Sequence, residues 1–261
     1  RQDLWQMILL NVHIPFLVEG DLHCQVGAAT IGERGLHSLL QKYGPETLEK
    51  AVDELLAATE RQMREEIRKI PNGLYRAERK IDHDGVNKDK LVTIRLAVKV
   101  EDDEITFDFT GTDPQTVGFL NSPIPNTASS SHLALFSSID PNIRYNDGSI
   151  KPVKIVAESG SLVNPLPPAP VTACTVPTCE TITECGWLAL AQAIPKQVQA
   201  PWARWCAPAT FGINPRTGGI FAEIHFISKG GGGATHGFDG WDHLGTVVCL
   251  GGLRSPDPEL H

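Results

Sequence analysis

Apolar and polar residues recur with two different periods along this chain, and the change from one to the other divides it. From Glu33 to about Tyr43, Leu36, Leu39 and Leu40 fall on one side of a short helical pattern. Gly44-Pro45 restarts the chain, and Pro45 suits a first helical turn because its missing amide hydrogen would have had no partner there. From Glu46 to Lys69, Leu48, Val52, Leu55, Leu56, Met63 and Ile67, with Thr59 among them, have the spacing of one stripe along an amphipathic helix. Glu49, Lys50, Asp53, Glu60, Arg61, Arg64, Glu65 and Arg68 occupy the other face, a solvated surface on which opposite charges lie one turn apart.

After Pro71-Asn72-Gly73 the period falls to two. Val92, Ile94, Leu96, Val98 and Val100 alternate with Thr93, Arg95, Ala97 and Lys99, which predicts a strand with one buried face. Ile105, Phe107 and Phe109 predict a second strand, joined to the first by Glu101-Asp102-Asp103-Glu104 as an antiparallel hairpin. A third, Gly73 to Asp82, joins the same sheet if Tyr75, Ala77 and Arg79 share a side. Beyond Gly111, Asp-Pro, Asn-Asp-Gly and Pro-Pro steps predict mostly loops. Two further helices are expected, one from His132 to Ser138 capped by a preceding serine, and a largely buried one from Thr181 to Ile194 stopped by Pro195. Phe221 to Ser228 and Thr246 to Leu250 predict a last pair of strands about a glycine-rich loop. No internal repeat is present. The pattern predicts an α+β fold, an antiparallel sheet with an early amphipathic helix pair and many loops. Residues 1–70 are expected as a helical region and 71–261 as a strand- and loop-rich one.

Composition narrows the partners. With 41% hydrophobic and 21% charged residues over 261 positions, the chain can bury a substantial core. A net charge of −8 offers no basic face for a phosphate backbone, so nucleic acid is not an expected partner. The six cysteines form no CxxC pair, which points to a reduced, cytoplasmic protein. Apolar runs such as Met7 to Leu10 are far shorter than the roughly 18 residues of a membrane span. Both chain ends read as cuts in a longer protein.

The segment from Lys229 to His243 is the strongest candidate for chemistry. Four successive glycines, Gly230 to Gly233, allow backbone to approach a ligand, and His236, Asp239, Asp242 and His243 could ligate a metal or move protons. Turn chemistry explains the Asp-Gly steps equally well. Phosphate binding is disfavoured, because neither GxxxxGK[ST] nor GxGxxG spacing is present. Asp82-His83-Asp84-Gly85 reads as a turn rather than a calcium loop, since Thr93 stands where the loop's closing acid belongs. Glu19, Asp21 and His23 would face one side if their segment were extended, and could then hold a metal. Cys174, Cys179 and Cys185 are expected as small buried hydrophobes. Trp202, Arg204 and Trp205 could stack on a flat ligand, or pack as buried residues.

A succession of short motifs resembles the hydantoinase B and 5-oxoprolinase family. They include Gly20-Asp21-Leu22-His23-Cys24-Gln25, Ile70-Pro71-Asn72-Gly73-Leu74-Tyr75, Phe107-Asp108-Phe109-Thr110-Gly111-Thr112, Tyr145-Asn146-Asp147-Gly148 and Gly160-Ser161-Leu162-Val163-Asn164-Pro165. Within the family, Arg204 to Ala209 and His236 to His243 look closest to the acetone carboxylase large subunit. That resemblance implies a catalytic subunit joining a phosphate-activated ketone enol to bicarbonate-derived CO2. It also implies manganese or another divalent metal in the complete subunit, and ATP with Mg2+ on a hydantoinase A-like nucleotide-binding partner; the complex can also include a small third subunit. The family's metal ligands belong to an amino-terminal half absent here, so no ligand is carried over and this piece alone is expected to be inactive. The alternatives are an ATP-dependent hydantoinase or 5-oxoprolinase subunit, and a non-catalytic assembly module.

Overall fold

The computed structural model of the protein begins with three helices, α1 (Gln2–Leu9), which no periodicity predicted, α2 (Pro15–Tyr43) and α3 (Pro45–Ile67). The structure describes residues 2–12, 15–202, 209–224 and 231–240. The chain divides into two compact units, Arg1–Ala57 and Ala58–His261, with the boundary falling within the sequence of α3. The α3 stripe is used unevenly: Thr59, Met63 and Ile67 are buried, whereas Val52 and Leu55 are exposed.

α2 is far longer than the pattern from Glu33 predicts. Gly20, Gly27, Gly32 and Gly35 weaken its apolar periodicity and cost about 1 kcal/mol each relative to alanine in a helix interior, which hid its first half. The extended segment expected at Glu19, Asp21 and His23 is therefore corrected to helix. Two residues turn a helix through about 200°. Glu19 and His23 meet at 3.9 Å one turn apart, while Asp21 lies on the opposite side, so the three cannot converge on one ion.

In the second unit, β1 (Gly73–Ile81), β2 (Val92–Glu101), β3 (Glu104–Asp108) and β4 (Val153–Val156) form a four-stranded sheet in that order. The hairpin lies where expected: Glu101 pairs Glu104, and Asp102 takes a positive φ of 52° in the two-residue turn. Asn72 holds that turn by accepting from the Asp102 amide at 2.9 Å, and Arg64 reaches Asp103 at 3.0 Å from α3. β4 runs parallel to β3, so the sheet is mixed rather than wholly antiparallel. A crossover through α4 (Ile124–Phe136) and α5 (Asp147–Ile150) returns the chain in the same direction.

The predicted inner face of β2 and β3 is buried throughout, from Val92 to Phe109. α6 (Cys179–Leu190) packs on β1 and β2, and α4 packs on α6. A π-helical turn, Cys174–Thr178, leads directly into α6. α4 begins earlier than predicted, after Pro123, and no serine caps it. Ser130 and Ser131 instead donate to the carbonyls of Asn126 at 2.7 Å and Thr127 at 2.9 Å, one turn back. The predicted strand from Phe221 is β6 (Ile220–Ile224), which pairs antiparallel with β5 (Ala209–Ile213). β5 is a five-residue strand interrupted by Gly212, over which the Phe221 ring sits, and this made it illegible. Residues 225–228 and 246–250 lie outside the described residues.

Candidate functional site

A cavity of about 400 Å³ lies between α6, the end of β1 and the turn carrying His236, within the size range of small-molecule sites. The inward alternation of β1 places Arg79 on the side facing α6. There its guanidinium donates to the Glu184 carboxylate at 2.5 Å. Glu184 is 2% exposed and Arg79 is only partly covered, so a buried anion is paired with a cation that still faces the cavity. Trp187, Val198 and Pro201 supply apolar walls. Trp187 is fixed by donating to Ser137 Oγ at 2.8 Å and by an edge-on contact with Trp202, ring centres 5.1 Å apart. Trp202 is thus a buried core aromatic, 5% exposed, not an exposed stacking platform; Arg204 and Trp205 lie outside the described residues.

The glycine-rich loop closes one side by packing backbone on backbone. A Cβ on Gly233 would fall 1.7 Å from the Ala200 carbonyl oxygen, and one on Gly240 would fall 1.8 Å from that of Gly232. The Ala200 amide donates to the Ala234 carbonyl at 2.8 Å. Thr235 and Phe238 then exchange backbone hydrogen bonds at 3.0 and 3.1 Å about Gly237, whose φ is 84°. That tight turn presents His236 to the cavity. Of the predicted group, His236 reaches the site, Asp239 is exposed just beyond the turn and does not line the cavity, and Asp242 and His243 lie outside the described residues.

Sequence reasoning singled out neither Arg79 nor Glu184 as a site residue. The available signal was an ionisable residue in a helix predicted to be buried, which requires a partner. With the pair on one side, apolar walls and an imidazole at the mouth, the cavity can take a small, largely apolar molecule with a hydrogen-bond acceptor. Among the described residues no group of three His, Cys, Asp or Glu side chains could hold a metal ion. The divalent metal that the resemblance implies belongs to the complete subunit, and no step is routed through one here.

Other polar motifs build the frame. Asp84 Oδ1 accepts from the amides of Asn87 at 2.6 Å and Val86 at 2.9 Å, closing the predicted turn; the Asn87 amide above all holds this carboxyl below the usual range. Partial burial works to raise the Asp113 carboxyl, but hydrogen bonds from Thr93 and Arg95 outweigh it and lower the pKa. Cys174, Cys179 and Cys185 are buried as expected, and burial pushes the Cys185 thiol up to about 12.

The mixed sheet crossed by α6, the backbone-packed glycine loop and the ordered motifs define a class, and the chain belongs to the hydantoinase B/oxoprolinase family, which it matches over residues 1–261. It is 31% identical to the beta subunit of caprolactamase from Pseudomonas jessenii, over 100% of this chain and 45% of that protein. It is 33% identical to the B-type subunit of a putative D-/L-hydantoinase from a Pseudomonas strain, over 94% of this chain and 43% of the relative. The chain thus spans less than half the length of these relatives. The crystal structure of the ATP-dependent caprolactamase superposes on all of this chain and 45% of its own, with a TM-score of 0.89 at 32% identity. Acetone carboxylase superposes on 81% of this chain and 30% of its own with a TM-score of 0.67 at 18% identity, a likeness of fold alone. The broad family expectation holds, whereas the expected special closeness to acetone carboxylase does not.

Proposed function

We propose that this chain is part of the B-type subunit of an ATP-dependent enzyme that opens a cyclic amide, working with a nucleotide-binding A-type partner in the cytoplasm. The observation that carries this reading is likeness along 94% to 100% of this chain, at 31% to 33% identity, to less than half of subunits named caprolactamase and hydantoinase. The chemistry gives ATP a reason: the C–N bond of a lactam is resonance-stabilised and resists cleavage. In this reading the cavity beside the Arg79–Glu184 pair contacts the ring or its opened product, with Arg79 donating to a carbonyl or carboxylate oxygen. His236 is proposed to bind or move a proton at the mouth. The carboxylase reading and the divalent metal remain expectations for the complete subunit, with no support from the described residues.

The test is substrate screening of the complex purified from its source through a tag on this chain. With ATP present, ring-opened product is expected from at least one of caprolactam, hydantoin and 5-oxoproline without added bicarbonate. Carboxylated product from acetone and bicarbonate, with none of these rings opened, would overturn it in favour of the carboxylase.

A further inference from the structure

α2 runs for 29 residues, yet no described side chain on it is buried. Glu19, His23, Thr30, Arg34, His37 and Gln41 form one polar stripe by their three-, four- and seven-residue steps. Cys24, Ala28, Ile31, Gly35 and Leu39 form a second, apolar stripe on another side, with Ile31 70% and Leu39 44% exposed. A Cβ placed on Gly32 or Gly35 would meet nothing within 4 Å. Helices owe most of their stability to burying an apolar face, and glycines work against them. A long glycine-containing helix with an apolar stripe that no described residue covers therefore has the character of an interface.

The occupant follows from length. The whole chain superposes on the solved caprolactamase chain, yet accounts for 45% of it, so more than half of a B-type subunit lies outside this fold. We infer that the Cys24–Leu39 face of α2 seats this remaining polypeptide of the B-type subunit through an apolar surface on that polypeptide. The inference rests on family membership and is independent of which ring is opened.

Cys24 reports on it directly, because it lies on the stripe and is exposed while Cys174, Cys179 and Cys185 are buried. Maleimide labelling, read by peptide mass, is compared between the chain expressed alone and the complex purified from its source. Cys24 is expected to label about tenfold or more slowly in the complex, as thiol reactivity follows access. Ile31→Glu, at an exposed position of the isolated chain, should bring the rate in the complex back to that of the chain alone, since an unpaired charge cannot be buried there. Equal labelling in both preparations would overturn the inference. So would protection in the isolated chain: if it grows with concentration a second copy covers α2, and if it does not, another part of this chain does.

Discussion

Gly186→Ala tests the contact that positions one side of the cavity. Gly186 lies on α6 between Glu184 and Trp187, where a Cβ would come within 2.6 Å of the Ala134 Cβ on α4 and 3.6 Å of Phe107. Carbon atoms pack best at about 3.5–4.0 Å, so the added methyl intrudes by roughly 1 Å between two helix backbones. In a free helix the substitution would stabilise by about 1 kcal/mol. Here overpacking should cost close to the upper end of about 1–3 kcal/mol, for a net loss of roughly 2 kcal/mol. Urea unfolding followed by tryptophan fluorescence reads this as a lower midpoint at unchanged slope. Ala134→Gly removes the opposing methyl, so the double variant should be more stable than the summed single effects by roughly 1–2 kcal/mol. A stabilised Gly186→Ala variant, or strict additivity, would refute the close helix crossing.

Three further outcomes follow from the structure. The Asp84 and Asp113 carboxyls are lowered on folding, so the stability they contribute is fully present above the ordinary aspartate pKa of about 3.9. It is lost as pH falls through their folded values, and Asp113→Asn should flatten the acid limb of a stability–pH profile; an unchanged limb counts against the Thr93–Asp113–Arg95 linkage. The raised Cys185 thiol should resist iodoacetamide at pH 8 until the chain unfolds, and labelling at native rates like those of Cys24 would contradict its burial. His236→Gln, at an exposed position, should leave the unfolding free energy within about 0.5 kcal/mol while lowering turnover of the intact complex. Unaltered turnover would remove His236 from the site.

Periodicity carried the parts of the fold in which one face is buried. The alternation at Val92–Val100 and Ile105–Phe109 located the central hairpin because each inward residue is buried, and the stripe ending at Met63 and Ile67 located α3. It failed where burial does not follow the local period. Among the described residues α2 has no buried face, and α4 hides its serines by bonding them to its own carbonyls. β5 is five residues with a glycine beneath Phe221. The glycine loop was legible as a place of close backbone approach, but what it approaches, the carbonyl of Ala200, is distant in sequence. For the same reason His236 could be proposed from its loop, whereas Arg79 and Glu184, 105 residues apart, required the fold.

ADP release by the complex purified from its source measures the ring-opening assignment most directly. Addition of a cyclic amide, caprolactam or hydantoin, to the complex with ATP and no bicarbonate should accelerate ADP formation in step with ring-opened product. ADP formation that ignores every cyclic amide and rises only with a ketone and bicarbonate would contradict it.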